Sequence, residues 1–281
     1  MKVPIVSMLC MLFSMLFAFA LPAVLFILFR KRFKMRVMPL VLGAAGFILF
    51  AEILEQLLHM VVLRPVNGTI PLMTQHPVIY VIYGCLAAGV FEESARFIAF
   101  HILKQRDNRK KPTRIGEPGD APAEGQKDEW DVGDALSYGI GHGGTEVVLL
   151  LGISMIANLV YSLLINAGTT IPQITAVAGS LISTQPYEFL VGSVERVFAI
   201  TIQISLSVVV WTAVYARRIW LYPAAILLHA LVDLSAAMSQ VGYIKNIAVI
   251  ETIVGISAVV MVFIAIWVYR HFKGDFSHAT V

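Results

Sequence analysis

Residues 4–29 read "PIVSMLCMLFSMLFAFALPAVLFILF", and residues 30–36 follow with "RKRFKMR". The run carries no charged side chain and exceeds the roughly 20 apolar residues that cross a bilayer as a helix. Its "AFA", Ala18 to Ala20, resembles a signal-peptidase site. The apolar run continues past it to Phe29, however, and the basic cluster comes after the run. Lys2 is the only charge ahead of it, so the basic flank lies on the wrong end for a cleaved leader. The stretch reads as a retained first transmembrane helix.

The same pattern recurs along the chain. Apolar runs fall at about residues 4–29, 38–63, 78–103, 132–165, 194–216, 219–240 and 247–270. Of the 281 residues, 58% are hydrophobic and 14% charged, where a soluble domain carries about a quarter charged residues. The expectation is an all-α, polytopic integral membrane bundle forming a single transmembrane domain over residues 1–281. It has about seven transmembrane helices, or eight if the fourth run splits. That run is long for one straight crossing and contains "GIGHGG", so tilting, kinking and division into a span plus an interfacial helix are all open. Residues 104–130 mix Lys, Arg, Asp, Glu, Pro and Gly without apolar periodicity and read as a mobile cytoplasmic loop. A further short interfacial segment fits the connection at about 166–193. No internal repeat argues for an inverted-repeat transporter. Cys10 and Cys85 lie in apolar runs with no CxxC spacing and read as structural thiols.

Positive charge sets the orientation. Arg30, Lys31, Arg32, Lys34 and Arg36 follow the first span, and Lys104, Arg106, Arg109, Lys110, Lys111, Arg114 and Lys127 follow the third. Arg217 and Arg218 follow the fifth, and Arg270 and Lys273 the seventh. All four groups share one side under a seven-span count, against Lys2, Arg64 and Lys245 opposite. The N-terminus is therefore expected outside and the C-terminus in the cytoplasm. The net charge of +3 is accounted for by this asymmetry, and no motif points to nucleic acid. The bilayer is the expected surrounding.

Ionisable residues inside spans are costly and mark sites, proton paths or structural pairs. Here they are Glu52, Glu55, His59, Glu92, Glu93, Arg96, His142, Glu146, Glu195, Arg196, His229, Asp233 and Glu251. At 1.5 Å per residue, Glu92 lies about 16 Å from the cytoplasmic end of its span, and His142 and His229 about 15 Å along theirs. Three helices thus bring Glu, His and His to one level. One turn deeper, Glu146, Asp233, Glu52 and Gln203 make a second layer. His142–Glu146 and His229–Asp233 are i,i+4 pairs, so each projects from one helix face. A carboxylate beside a His orients the ring, raises its basicity or shares a metal with it. Arg96 stands at neighbour spacing from both Glu92 and Glu93. Either it neutralises Glu92 and leaves Glu93 freer, or it forms a structural pair with Glu93. Gly139, Gly141, Gly143 and Gly144 around His142 permit close helix approach, or leave room for a peptide or water. Glu55–His59 is either a structural pair or a substrate-side contact. Glu195–Arg196 reads as a cap or pair at the start of span 5, and Glu251 as a first-turn acid outside the site.

A water, a general base and an oxyanion stabiliser are the needs of hydrolysis inside a membrane, and Glu with His meets them, with or without a metal. The HExxH pattern of many zinc peptidases is absent. The alternative from the same residues is a non-enzymatic, proton-coupled carrier using them as a relay.

The order "FEESARF", "YGIGHGGTE", "SVERVFAI", "LLHALVD" resembles the CAAX-protease and bacteriocin-processing superfamily of intramembrane proteases, and within it the YhfC-type intramembrane metalloproteases. The resemblance spans most of the chain. It implies hydrolysis of a peptide bond in a membrane protein or peptide, in the plasma membrane of a bacterium. By position, Glu92 with Glu93 beside it would activate water, His142 would assist, and His229 with Asp233 would bind metal or steady the oxyanion. Arg96 and Glu146 would support them. If Zn²⁺ or another divalent metal is present, His142, His229, Glu92 and Glu146 are the donors expected. The superfamily divides between metal-dependent and metal-free glutamate mechanisms, so both stay open. Arg96 follows the Glu pair after two residues where the superfamily has three. That rotates it by about 100° on the helix and leaves both glutamates open as the base. Glu146 lies outside the superfamily pattern.

Overall fold

The computed structural model describes residues 2–110 and 132–278. Helix α1 is Ile5–Arg30 and α2 is Val37–Val62, the latter widened into a π segment over Phe47–Glu55. A short α3, Pro71–Gln75, precedes α4, Pro77–Lys110. Helix α5 is Gly133–Asn166 with a π segment at Val148–Ile153, and α6 is a short Pro172–Ser183. Then come α7 at Glu188–Tyr215, α8 at Leu221–Gln240 and α9 at Ile247–Phe272, closed by a 3₁₀ turn at Lys273–His278. Among the described residues seven helices are long and apolar enough to cross a membrane: α1, α2, α4, α5, α7, α8 and α9.

The bundle agrees with the spans expected from apolar run length and departs from them at polar ends. Helix α4 runs through residues 104–110, assigned above to the loop. At 34 residues it is about 51 Å long and outreaches a hydrocarbon core of about 30 Å. Its last two turns, residues 104–110, are all polar or charged, so no apolar signal marks them. The remainder of the expected mobile loop lies outside the described residues. Helix α7 starts six residues earlier than 194, with Glu188 in its first turn where a helix N-terminus favours an acid. The fourth run does not split. It stays one helix, with the π segment at Val148–Ile153 inside it, while α6 is the short segment of the 166–193 connection.

The helices of the core meet through missing side chains. A Cβ on Gly141 of α5 would lie 2.0 Å from the Leu40 carbonyl oxygen of α2, and one on Gly43 of α2 would lie 2.2 Å from the Tyr138 carbonyl oxygen. On the opposite face Gly139 would meet the Ile204 Cα of α7 at 2.5 Å. The glycine cluster around His142 therefore serves close helix approach, which in lipid is where packing energy is gained. The first half of α5 and the second half of α7 are buried almost continuously. Phe100, Leu103, Tyr138, Leu206, Trp211 and Tyr215 form the core between them. Helices α1 and α9 turn mostly apolar side chains outward, as lipid-facing helices do.

Gly141→Ala is expected to lower the melting temperature in detergent, because overpacking against a backbone costs about 1–3 kcal/mol. Gly84→Ala on α4, with no atom within 4 Å of the added carbon, should melt as wild type. Equal melting of the two variants would contradict this packing.

Ion pairs gather the basic connections at one end of the bundle. Arg36 binds Asp107 at the end of α4 at 2.7 Å and also pairs with Asp134 at the start of α5. Hydrogen bonds first to Asp134 and then to Asp107 hold its guanidinium proton more tightly than usual. Arg218 pairs with Asp275 at 2.8 Å, and the Lys104 ammonium donates to the Val214 carbonyl at 2.8 Å. At the far end the Val3 amide donates to Asn166 at 2.7 Å and the Tyr80 hydroxyl to Gln240 at 2.8 Å.

Candidate functional site

Four helices contribute to one buried polar cluster. Glu92, Glu93 and Arg96 come from α4, His142 and Glu146 from α5, Arg196, Gln203 and Ser207 from α7, and His229 and Asp233 from α8. Glu93, Arg96 and His142 are wholly buried, and Glu92 and His229 nearly so. Asp233 is the open member, with its side chain 39% exposed. The level shared by Glu92, His142 and His229 in the sequence is a real meeting point.

Arg96 lies closer to Glu93 than to Glu92. Its Nη1 donates to Glu93 Oε1 at 2.5 Å, whereas Nη2 stands 3.7 Å from Glu92 Oε2. Its Nη2 also donates to Gln203 Oε1, and its Nε to Ser207 Oγ at 3.3 Å. With its amide oxygen engaged by Arg96, Gln203 must turn its NH₂ the other way. That nitrogen donates to Glu92 Oε2 at 3.1 Å and to Glu146 Oε2 at 2.8 Å. The other Glu146 oxygen accepts from Arg196 Nη1 at 2.8 Å. Arg196 pairs also with Glu195, and both lie two turns inside α7, not at its start. Glu146, counted above among the metal donors, thus has both oxygens engaged and acts as a strut between α5 and α7.

The two imidazoles face the carboxylates through different atoms. His142 Nε2 lies 2.8 Å from Glu92 Oε2, with Phe47 edge-on to the ring at a centroid distance of 5.1 Å. The π segment of α2 carries Phe47 there, and Tyr138 stacks on the same imidazole one turn earlier in α5. His142 Nδ1 is buried without a partner. His229 Nδ1 lies 2.6 Å from Glu93 Oε1. An ionised carboxylate only accepts, so this contact places a proton on Nδ1. Nε2 is then left facing Asp233 Oδ2 at 3.4 Å and Glu92 Oε2 at 3.8 Å. A nitrogen lone pair pointed at two carboxylate oxygens is relieved by a proton or a metal cation between them.

The donor chemistry fits a metal on that observation. Imidazole nitrogen and carboxylate oxygen are borderline ligands suited to zinc, and two such donors on a tetrahedral ion at about 2.0–2.1 Å stand about 3.3 Å apart. The 3.4 Å between His229 Nε2 and Asp233 Oδ2 matches that value. Among the described residues no three donors are already drawn into a metal-binding group.

Other residues singled out in the sequence lie apart. Glu55 is buried and sits 3.2 Å from His59 Nε2, whose Nδ1 meets the Tyr83 hydroxyl at 2.8 Å. Glu52 is exposed on the same helix. Glu251 stands in the second turn of α9, not the first, with one buried oxygen lacking a partner. Ser207 and Phe47 were not legible as site residues. The signal for Ser207 is its place four residues after Gln203, on the same helix face. Phe47 has none, because an aromatic in a membrane helix is ordinary.

The family described as YhfC intramembrane metalloprotease matches residues 17–116 and 124–254. The "uncharacterized membrane protein YhfC" of Bacillus subtilis (strain 168) is 34% identical over 262 residues, covering 90% of this chain and 92% of the relative. No solved structure matches. The matched segments contain every helix that builds the buried Glu–His cluster, so the chain belongs to the YhfC intramembrane metalloprotease family.

Proposed function

We propose that this protein hydrolyses a peptide bond of a membrane-associated protein or peptide at the Glu92–His142–His229 cluster. One observation carries the reading. Glu92 Oε2 lies between the Nε2 atoms of two buried histidines from different helices, held there by Gln203. The family name supports it.

Glu92 is the general base in this reading. It is the glutamate farther from the Arg96 guanidinium, at 3.7 Å against 2.5 Å, and a base must keep a lone pair for the water proton. Glu93 is a positioning residue that fixes the His229 tautomer and is itself fixed by Arg96. His142 holds the far side of Glu92 and carries charge as the water proton moves. His229, with a second proton on Nε2 held by Asp233, faces the reacting carbonyl and opposes its developing negative charge. Asp233, the exposed member, stands where water and peptide enter. A divalent metal such as zinc would instead be held between His229 Nε2 and Asp233, and would supply Lewis acidity and lower the pKa of water. The basic end of the bundle lies in the cytoplasm of a bacterial cell and the N-terminus outside, following the charge bias.

The test is cleavage of a transmembrane peptide by the purified protein in detergent. Wild type should cleave, and His142→Ala and His229→Ala should each slow it by at least about 10²-fold. Full rates from both variants would sink the assignment. Solute-linked proton uptake by liposomes with no cleavage would favour a carrier instead.

A further inference from the structure

Away from the polar cluster, α1 and α9 each pack along α7 and leave a crevice between them. It encloses about 510 Å³, a size typical of small-molecule sites. Its walls include Phe29 and Phe33 at the end of α1, Leu136 of α5, Ser205 of α7, and Ile266 and Arg270 of α9. The α9 wall is one helix face, since Val262, Ala265, Ile266, Tyr269 and Arg270 recur at helical spacing. The crevice is apolar in depth and reaches the basic end of the bundle, where Arg270 is part of its lining. Arg32 stands beside it, with its Cζ 5.9 Å from the ring centroid of Phe33 in the wall.

Carboxylates hold two of the arginines at that end. Arg36 is taken by Asp107 and Asp134, and Arg218 by Asp275. Neither Arg32 nor Arg270 has an acidic partner among the described residues. Unpaired guanidiniums at the membrane interface, on two sides of an apolar slot leading inward, match one molecule from two directions. A phosphate binds planar guanidinium forks, and an acyl chain fills the slot.

We infer that the crevice between α1 and α9 binds an anionic phospholipid, with its phosphate between Arg32 and Arg270 and one acyl chain along α9. This site is separate from the hydrolytic cluster and does not depend on that reading. A bound lipid would tie the ends of α1 and α9 together across α7.

Delipidated full-length protein in detergent, titrated with phosphatidylglycerol and phosphatidylcholine and read by native mass spectrometry, tests this. Phosphatidylglycerol should bind more tightly. Each basic residue near the surface contributes about fivefold in affinity, so Arg32→Gln and Arg270→Gln together should lower phosphatidylglycerol binding by about 25-fold. Phosphatidylcholine binding should change little. Ile266→Trp, at a position 42% exposed and outside the tight core, should weaken both lipids by filling the slot. Equal wild-type affinities would overturn the proposal, as would unchanged phosphatidylglycerol binding in the double variant. Competition by soluble glycerol phosphate at the lipid's own concentration would also overturn it, since the chain would then contribute nothing.

Discussion

Glu92→Gln is expected to lower the cleavage rate by about 10²–10⁴-fold, the usual contribution of a general base, while the protein stays folded. Glutamine keeps the shape and a hydrogen-bonding oxygen but cannot take a proton from water. The fold tolerates the change because Arg96 retains its closer partner, Glu93, at 2.5 Å. Glu93→Gln should behave differently. Its Oε1 is shared by Arg96 and His229 Nδ1, so removing its charge loosens a fully buried guanidinium and unlocks the His229 tautomer. Activity and melting temperature should fall together there. Paired measurement of rate and melting separates the roles. If Glu93→Gln lost activity at unchanged melting and Glu92→Gln lost neither, the two glutamates would have to exchange roles.

The largest stability effect is expected at Arg96. Arg96→Met leaves Glu93 fully buried without its guanidinium and removes the anchor of Gln203. Breaking a buried pair by deleting one partner costs about 3–5 kcal/mol, because an uncompensated charge remains. The melting temperature in detergent should drop sharply. Replacing both members by apolar residues removes the stranded charge, so Glu93→Leu with Arg96→Met should be more stable than Arg96→Met alone. A double variant as unstable as the sum of the two singles would show that the residues do not act as a pair.

Much of this organisation is legible in the sequence because bilayer thickness sets run length. Runs of apolar residues locate α1, α2, α5, α8 and α9 within a few positions. The same criterion fails where a helix leaves the hydrocarbon, which is why the final turns of α4 and the opening turns of α7 escape it. The site is legible by depth. Glu92, His142 and His229 fall at one level when counted at 1.5 Å per residue, and the structure joins them. What spacing cannot decide is a choice between partners on different helices. Arg96 is a helical neighbour of both glutamates, and the Gln203 amide of α7 is what turns one hand of the guanidinium away. Glu146 is in pattern as good a metal donor as Asp233. Arg196, on another helix, engages one of its oxygens and Gln203 the other. The π segment of α2 that sets Phe47 against His142 leaves no mark in an apolar run, since its residues suit a regular helix equally well.

The claim that Glu92 activates a water for peptide hydrolysis within this cluster is tested most directly by isotope transfer. Purified protein is incubated with a transmembrane peptide in ¹⁸O-labelled water, and the new carboxyl terminus is weighed by mass spectrometry. Wild type should yield a cleaved product carrying the heavy oxygen, and Glu92→Gln should leave the peptide intact over the same time. Labelled product forming at the wild-type rate from Glu92→Gln, or intact peptide after prolonged incubation with folded wild type, would contradict the account.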